Sequence, residues 1–121
     1  MSLTISLEAL GRIQEIRARR ETDFHHLGVA VAEHALHVRG IDGKYSGDEL
    51  LRKHGELELD LDRHRTTILT RIAGSLTDQK TAGEAALAEL GLDHVRRELV
   101  IDEKTGEVRE LVAGRYVGVK G

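Results

Sequence analysis

LGRIQEIRARRETDFHHLGVAVAEHALHVRGI, residues 10–41, decides the fold, because its stripe residues recur in steps of three and four. Stepping from Leu10 reaches Ile13, Arg17, Arg20, Phe24, Leu27, Val31, His34, Val38 and Ile41. Residues at this spacing share one face of a helix, and a sustained heptad is the pattern of coiled-coil seams. The spacing predicts a helix over residues 7–39, widened by Ile16, Ala30 and Ala35. Arg17, Arg20 and His34 interrupt the apolar stripe.

IDGKYSG, residues 41–47, reads as a turn, with Gly40, Gly43 and Gly47 as breakers. Ser46 and Glu49 have the spacing of a capping box, so a second helix is expected to start there. Its stripe is Leu50, His54, Leu57, Leu61, His64, Ile68 and Ile72, and the helix is expected to end near Gly74. Thr81 and Glu84 repeat the capping-box spacing, so TAGEAALAELG reads as a short third helix ending near Gly91. LDHVRREL, residues 92–99, reads as one further turn or the approach to a strand. In ELVIDEKTGEVRELV, residues 98–112, two β-branched runs flank a turn closed by Gly106, the mark of a β-hairpin with glycine in the left-handed region. AGRYVGVKG can add a last extended segment.

The expected fold class is therefore α+β and mainly α. It comprises a long antiparallel, coiled-coil-like helical hairpin, a short third helix and a C-terminal β-hairpin. Residues 1–76 form the expected helical oligomerisation region, and residues 77–121 a short helix plus β-hairpin module. The chain has 121 residues, no proline, no tryptophan and 2% aromatic residues. Its core must be built from Leu, Ile, Val and Ala, and the absence of proline suits long helices. A lone two-helix hairpin buries little, so closure by copies of the same chain is expected. The expected oligomer core is Leu10, Ile13, Phe24, Leu27, Val31, Val38, Leu57, Leu61 and Ile68. In general architecture the layout resembles small subunits of symmetric assemblies such as virion or tail components, which implies a structural role.

Several function classes are disfavoured. Formal net charge is -3, there is no aromatic interleaving, and no recognition-helix pattern occurs, so nucleic acid is not an expected partner. Cysteine is absent, which excludes disulfides and thiolate metal sites. No run of 18 apolar residues suggests a membrane span, and MSLTISLEALGR does not read as a secretory leader. The expected localisation is cytoplasmic, or within an intracellularly assembled particle. No phosphate loop, dinucleotide fingerprint or nucleophile elbow appears, so the reading leans away from an enzyme.

Two features remain uneven. Four of the seven histidines, His25, His26, His34 and His37, fall within residues 24–40. If the turn is centred near residue 44, His34 shares a layer with His54. His34, His37, His54 and Glu58 are then the candidate ligands for a divalent metal, although no cofactor is expected from any motif. No Glu-x-x-His motif of di-iron bundles is present; Glu33 and His37 are four apart, as are Asp60 and His64. Arginines are the second feature, with Arg17, Arg20 and Arg71 as candidate anion-binding residues.

The function expected from these observations is that of a homo-oligomeric structural or adaptor protein working through protein–protein contacts, as a component of a larger symmetric assembly. Its partners are copies of itself and another protein reached through the C-terminal β-hairpin. The alternatives are a histidine/carboxylate metal-binding bundle and polyanion binding at the arginine-rich end.

Overall fold

The computed structural model describes residues 2–93 and 98–120. Two long helices, α1 (Leu7–Asp42) and α2 (Gly47–Glu89), precede three strands, β1 (Leu99–Ile101), β2 (Val108–Val112) and β3 (Arg115–Gly118). The strands form one antiparallel sheet in the order β1-β2-β3. The fold is thus mainly helical with a small C-terminal sheet. The turn-or-strand reading of LDHVRREL falls largely on residues 94–97, outside the described residues.

α1 runs through Gly40 and stops three residues past the expected end. α2 starts directly after Ser46, with the backbone N–H of Leu50 donating to the Ser46 carbonyl at 3.4 Å. The main correction concerns the separate third helix: residues 81–89 are the C-terminal end of α2, which does not break at Gly74. A mid-helix glycine costs only about 1 kcal/mol relative to alanine. Ile72, Ser75, Ala82 and Ala86 continue the buried stripe across it at helical spacing. Gly91, at φ 73, sits just past the helix end in the left-handed conformation that terminates helices.

The chain divides into two compact units. One comprises Met1–Ala18 with Ser75–Gly121, and the other is Arg19–Gly74. The first therefore takes residues from both sides of residue 76.

In the first unit, Ile5, Ala9, Leu10, Ile13 and Ile16 pack with Ala82 and Ala86 of α2 and with Val108 and Val119. The segment before α1 joins the strands: the Leu3 N–H donates to the Val119 carbonyl at 2.6 Å, and the Val108 N–H to the Leu3 carbonyl at 2.9 Å. Gly106 has φ 78, and a β-carbon there would lie 3.2 Å from Ile5 Cγ1, so the turn needs glycine for both conformation and space. Across this turn β1 and β2 pair antiparallel, with Ile101 opposite Val108 and Leu99 opposite Glu110. AGRYVGVKG does supply a further strand, β3, whose Tyr116 lies opposite Leu111.

The DEKTGE turn is held from inside and from the helices. The Lys104 N–H donates to Asp102 Oδ1 at 2.9 Å, and Arg109 lies 3.2 Å from the other Asp102 oxygen. The Lys104 backbone hydrogen bond, with a lesser contribution from Arg109, keeps the Asp102 carboxyl below its ordinary pKa. Glu103 accepts from Arg17 at 2.6 Å and from Gln79, while its carbonyl accepts from Gln14 at 2.9 Å. One turn residue thus ties both helices to the sheet within this unit.

In the second unit, α1 and α2 are linked by polar pairs. Asp23 meets Arg71 at 3.3 Å, His34 meets Glu58 at 3.7 Å, and Asp42 meets His54 at 2.7 Å. The buried apolar residues of this unit are Ala30, Ile68 and Ile72.

Candidate functional site

The histidine-rich segment contributes to a cleft of about 170 Å³ within residues 19–74, lined by Ala30, Glu33, His34, His37, Leu57, Asp60, Leu61 and His64. Each helix delivers its polar groups by the same device. Glu33 and His37 on α1, and Asp60 and His64 on α2, are four residues apart, so each pair lies on one helix face about a turn apart. Ala30, Leu57 and Leu61 supply the apolar part of the wall. Glu33, His37, Asp60 and His64 are exposed, while His34 is half-buried.

The expected layering of His34 with His54 is corrected. His34 faces Glu58, one turn beyond His54. His54 instead meets Asp42 at the turn end and does not line the cleft. Side-chain direction contributes to the offset. Helical side chains lean toward the N-terminus, so those of α1 lean away from the connecting turn and those of α2 toward it. A residue on α1 therefore meets one further along α2 than a mirror about residue 44 predicts.

Of the candidate metal ligands, the structure gathers His34 and His37 in the cleft and sets Glu58 against His34. His54 stands apart. Glu33, Asp60 and His64 join the cleft instead, and their sequence signal is the acid four residues before each histidine. Among the described residues, no group of three or more His, Asp or Glu side chains is already arranged to hold a metal ion.

Two of the three candidate anion-binding residues face acids. Arg17 is bound to Glu103 and Arg71 to Asp23, while Arg20 is half-buried. The expected oligomer core separates into three groups. Leu10, Ile13 and Ile68 are buried within the chain. Leu27, Val38, Leu57 and Leu61 are half-buried. Phe24 is 53% exposed and Val31 46%.

Among the described residues no helix is long and apolar enough to cross a membrane. Comparison of the chain with protein-family models, curated proteins and solved structures finds no match.

Proposed function

We propose that the protein is a homo-oligomeric structural or adaptor protein whose residues 19–74 form an antiparallel, coiled-coil-like helical hairpin that packs against the same segment of a second copy. One observation carries this reading. Among the described residues this 56-residue unit buries three apolar side chains, yet leaves large ones such as Phe24, Val31, Leu36, Leu51, Leu59 and Leu69 exposed. Apolar surface left in water at this density favours association, at roughly 25 cal/mol per Å² removed from water.

The exposed residues are also ordered. Phe24 and Val31 are seven apart and share a line along α1, with half-buried Leu27 and Val38 alongside. Leu51 and Leu69 are eighteen apart, which is five helical turns, and share a line along α2. Rows of this kind are what a second helical hairpin docks on, giving a four-helix bundle. The sheet supplies the adaptor element. β3 is an edge strand whose residues Arg115–Val117 are exposed, and edge strands take partners by strand addition.

The test is a double variant, Phe24→Ser with Val31→Asp. Both positions are exposed in the single chain, so its own fold tolerates the changes. The expected outcome is loss of the assembly to single chains of 13.4 kDa with helical circular dichroism retained. An assembly unchanged in mass refutes this interface.

A further inference from the structure

We propose that the outer edge of β3 is the docking site for an acidic, extended segment of a partner protein, which joins the sheet as a further strand between the flanking cations Arg115 and Lys120. This deepens the adaptor part of the proposed function and rests on the sheet edge, apart from the helical interface. The argument begins with backbone direction. The Val119 N–H donates to the Val108 carbonyl at 2.9 Å, and the Val119 carbonyl accepts from the Leu3 N–H at 2.6 Å. Both polar groups of Val119 therefore point back toward β2 and the segment before α1. Hydrogen-bonding direction alternates along an antiparallel strand, so Arg115 and Val117 also face β2. The N–H and carbonyl groups of Tyr116 and Gly118 then point outward, and β3 is the last strand of the sheet. They form a short open ladder.

Side chains decide what can pair there. Tyr116 is 57% exposed and Val117 45%, on opposite faces of the strand. Arg115 and Lys120 flank them; both are exposed, and neither has an acid partner among the described residues. Arg109 on the neighbouring strand is, by contrast, held by Asp102 and Glu107. Residues 113–120 contain no acid. The edge is thus apolar in the middle and positive at both ends. Charged flanks are also how edge strands are kept from pairing with their own kind. That role favours the same partner: β3 against β3 of a second copy gathers cations with no acid among them, whereas a strand with an acid at each end pairs both.

Register sets the spacing of those acids. An antiparallel partner exchanges hydrogen bonds with Tyr116 and Gly118 through residues two apart in its own sequence. Its residues opposite Arg115 and Lys120 are then five apart. The odd spacing places the two acids on opposite faces, matching the alternation of Arg115 and Lys120. The segment recognised is therefore an acid, four residues of β-forming character, and a second acid.

The probe is the synthetic peptide Glu-Val-Thr-Val-Thr-Glu, blocked at both ends and titrated into the nitrogen-labelled full chain at neutral pH and low salt. Saturable shifts are expected at the backbone amides of Tyr116 and Gly118, with affinity falling as salt is added. The same peptide with lysine at both ends should bind at least about tenfold more weakly, the scale of two exposed charge pairs turned repulsive. In the double variant Arg115→Glu with Lys120→Glu this preference should reverse, and both side chains are exposed, so the fold persists. Equal affinity for the two peptides, a preference that does not reverse, or no shift at millimolar peptide overturns the proposal. So does protection of the Tyr116 and Gly118 amides that appears on concentrating the free chain, since that gives the edge to a second copy. Phe24→Ser with Val31→Asp should bind the acid-ended peptide as wild type does, so failure of the edge and failure of the helical interface are read separately.

Discussion

The unit containing the sheet and the unit of residues 19–74 are built from the same two helices, yet their interiors differ. In the first, nine buried apolar residues among those described come from the pre-helix segment, both helices, β2 and the chain beyond β3, so side chains arrive from several directions. In the second, two helices alone supply the interior, and three apolar residues are buried. Helix faces are cylindrical, so a pair of helices can cover only one stripe of each. A sheet laid against helices covers a broader face. The difference lies along a continuous helix: one stretch of α1 closes its core inside the chain, and the next stretch leaves aligned apolar residues such as Phe24 and Val31 exposed.

The largest expected effect falls in the closed core. Ile13 is 3% exposed, and Ile13→Ala should cost about 2–5 kcal/mol, read as a lower thermal midpoint that does not depend on protein concentration. A midpoint shift that vanishes at high concentration breaks the comparison, because it means this core too is completed by another copy.

Leu61→Ala addresses the other unit. Leu61 is half-buried in the wall of the cleft, so its loss should cost less than that of Ile13, and the midpoint should rise with protein concentration as association compensates. A penalty equal to that of Ile13→Ala at all concentrations shows residues 19–74 to be as self-contained as the sheet unit.

Gly106→Ala sharpens the contrast at the turn. With φ at 78 and Ile5 Cγ1 3.2 Å from the added carbon, strain of about 1–2 kcal/mol is expected in the sheet unit alone. Hydrogen exchange should quicken in β1 and β2 and stay unchanged over residues 19–74. Uniform acceleration in both units contradicts their separation.

The smallest effect is at acid pH. The folded Asp102 carboxyl titrates below its ordinary value of 3.8, chiefly because the Lys104 N–H stabilises the carboxylate. Its stabilising contribution is present above the unfolded value and is lost as pH falls through the folded one. Below about pH 3.8 the turn should therefore loosen, and Asp102→Asn should remove that part of the pH dependence. An unchanged acid profile in Asp102→Asn assigns the loss to other carboxylates.

Much of this arrangement was readable in residue order. Gly106 between two β-branched runs announced β1 and β2, because only a left-handed position demands glycine there. Thr81 and Glu84 misled, since capping-box spacing also occurs inside a helix, and the Ile72-to-Ala86 stripe outweighs the weakness at Gly74. Heptad spacing placed Phe24 and Leu10 on related faces but could not separate them, because burial depends on what the sheet covers. At the cleft, the pairs Glu33–His37 and Asp60–His64 were visible as local spacings. Their juxtaposition was not, because it depends on a cross-helix register that a one-turn shift rewrites.

The central claim is that residues 19–74 complete their interior with a second copy. Sedimentation equilibrium of the unmodified chain at micromolar concentration tests it most directly. The account predicts a mass that is an integral multiple of 13.4 kDa, two or more, falling toward one chain on dilution. A mass of 13.4 kDa at every concentration contradicts it.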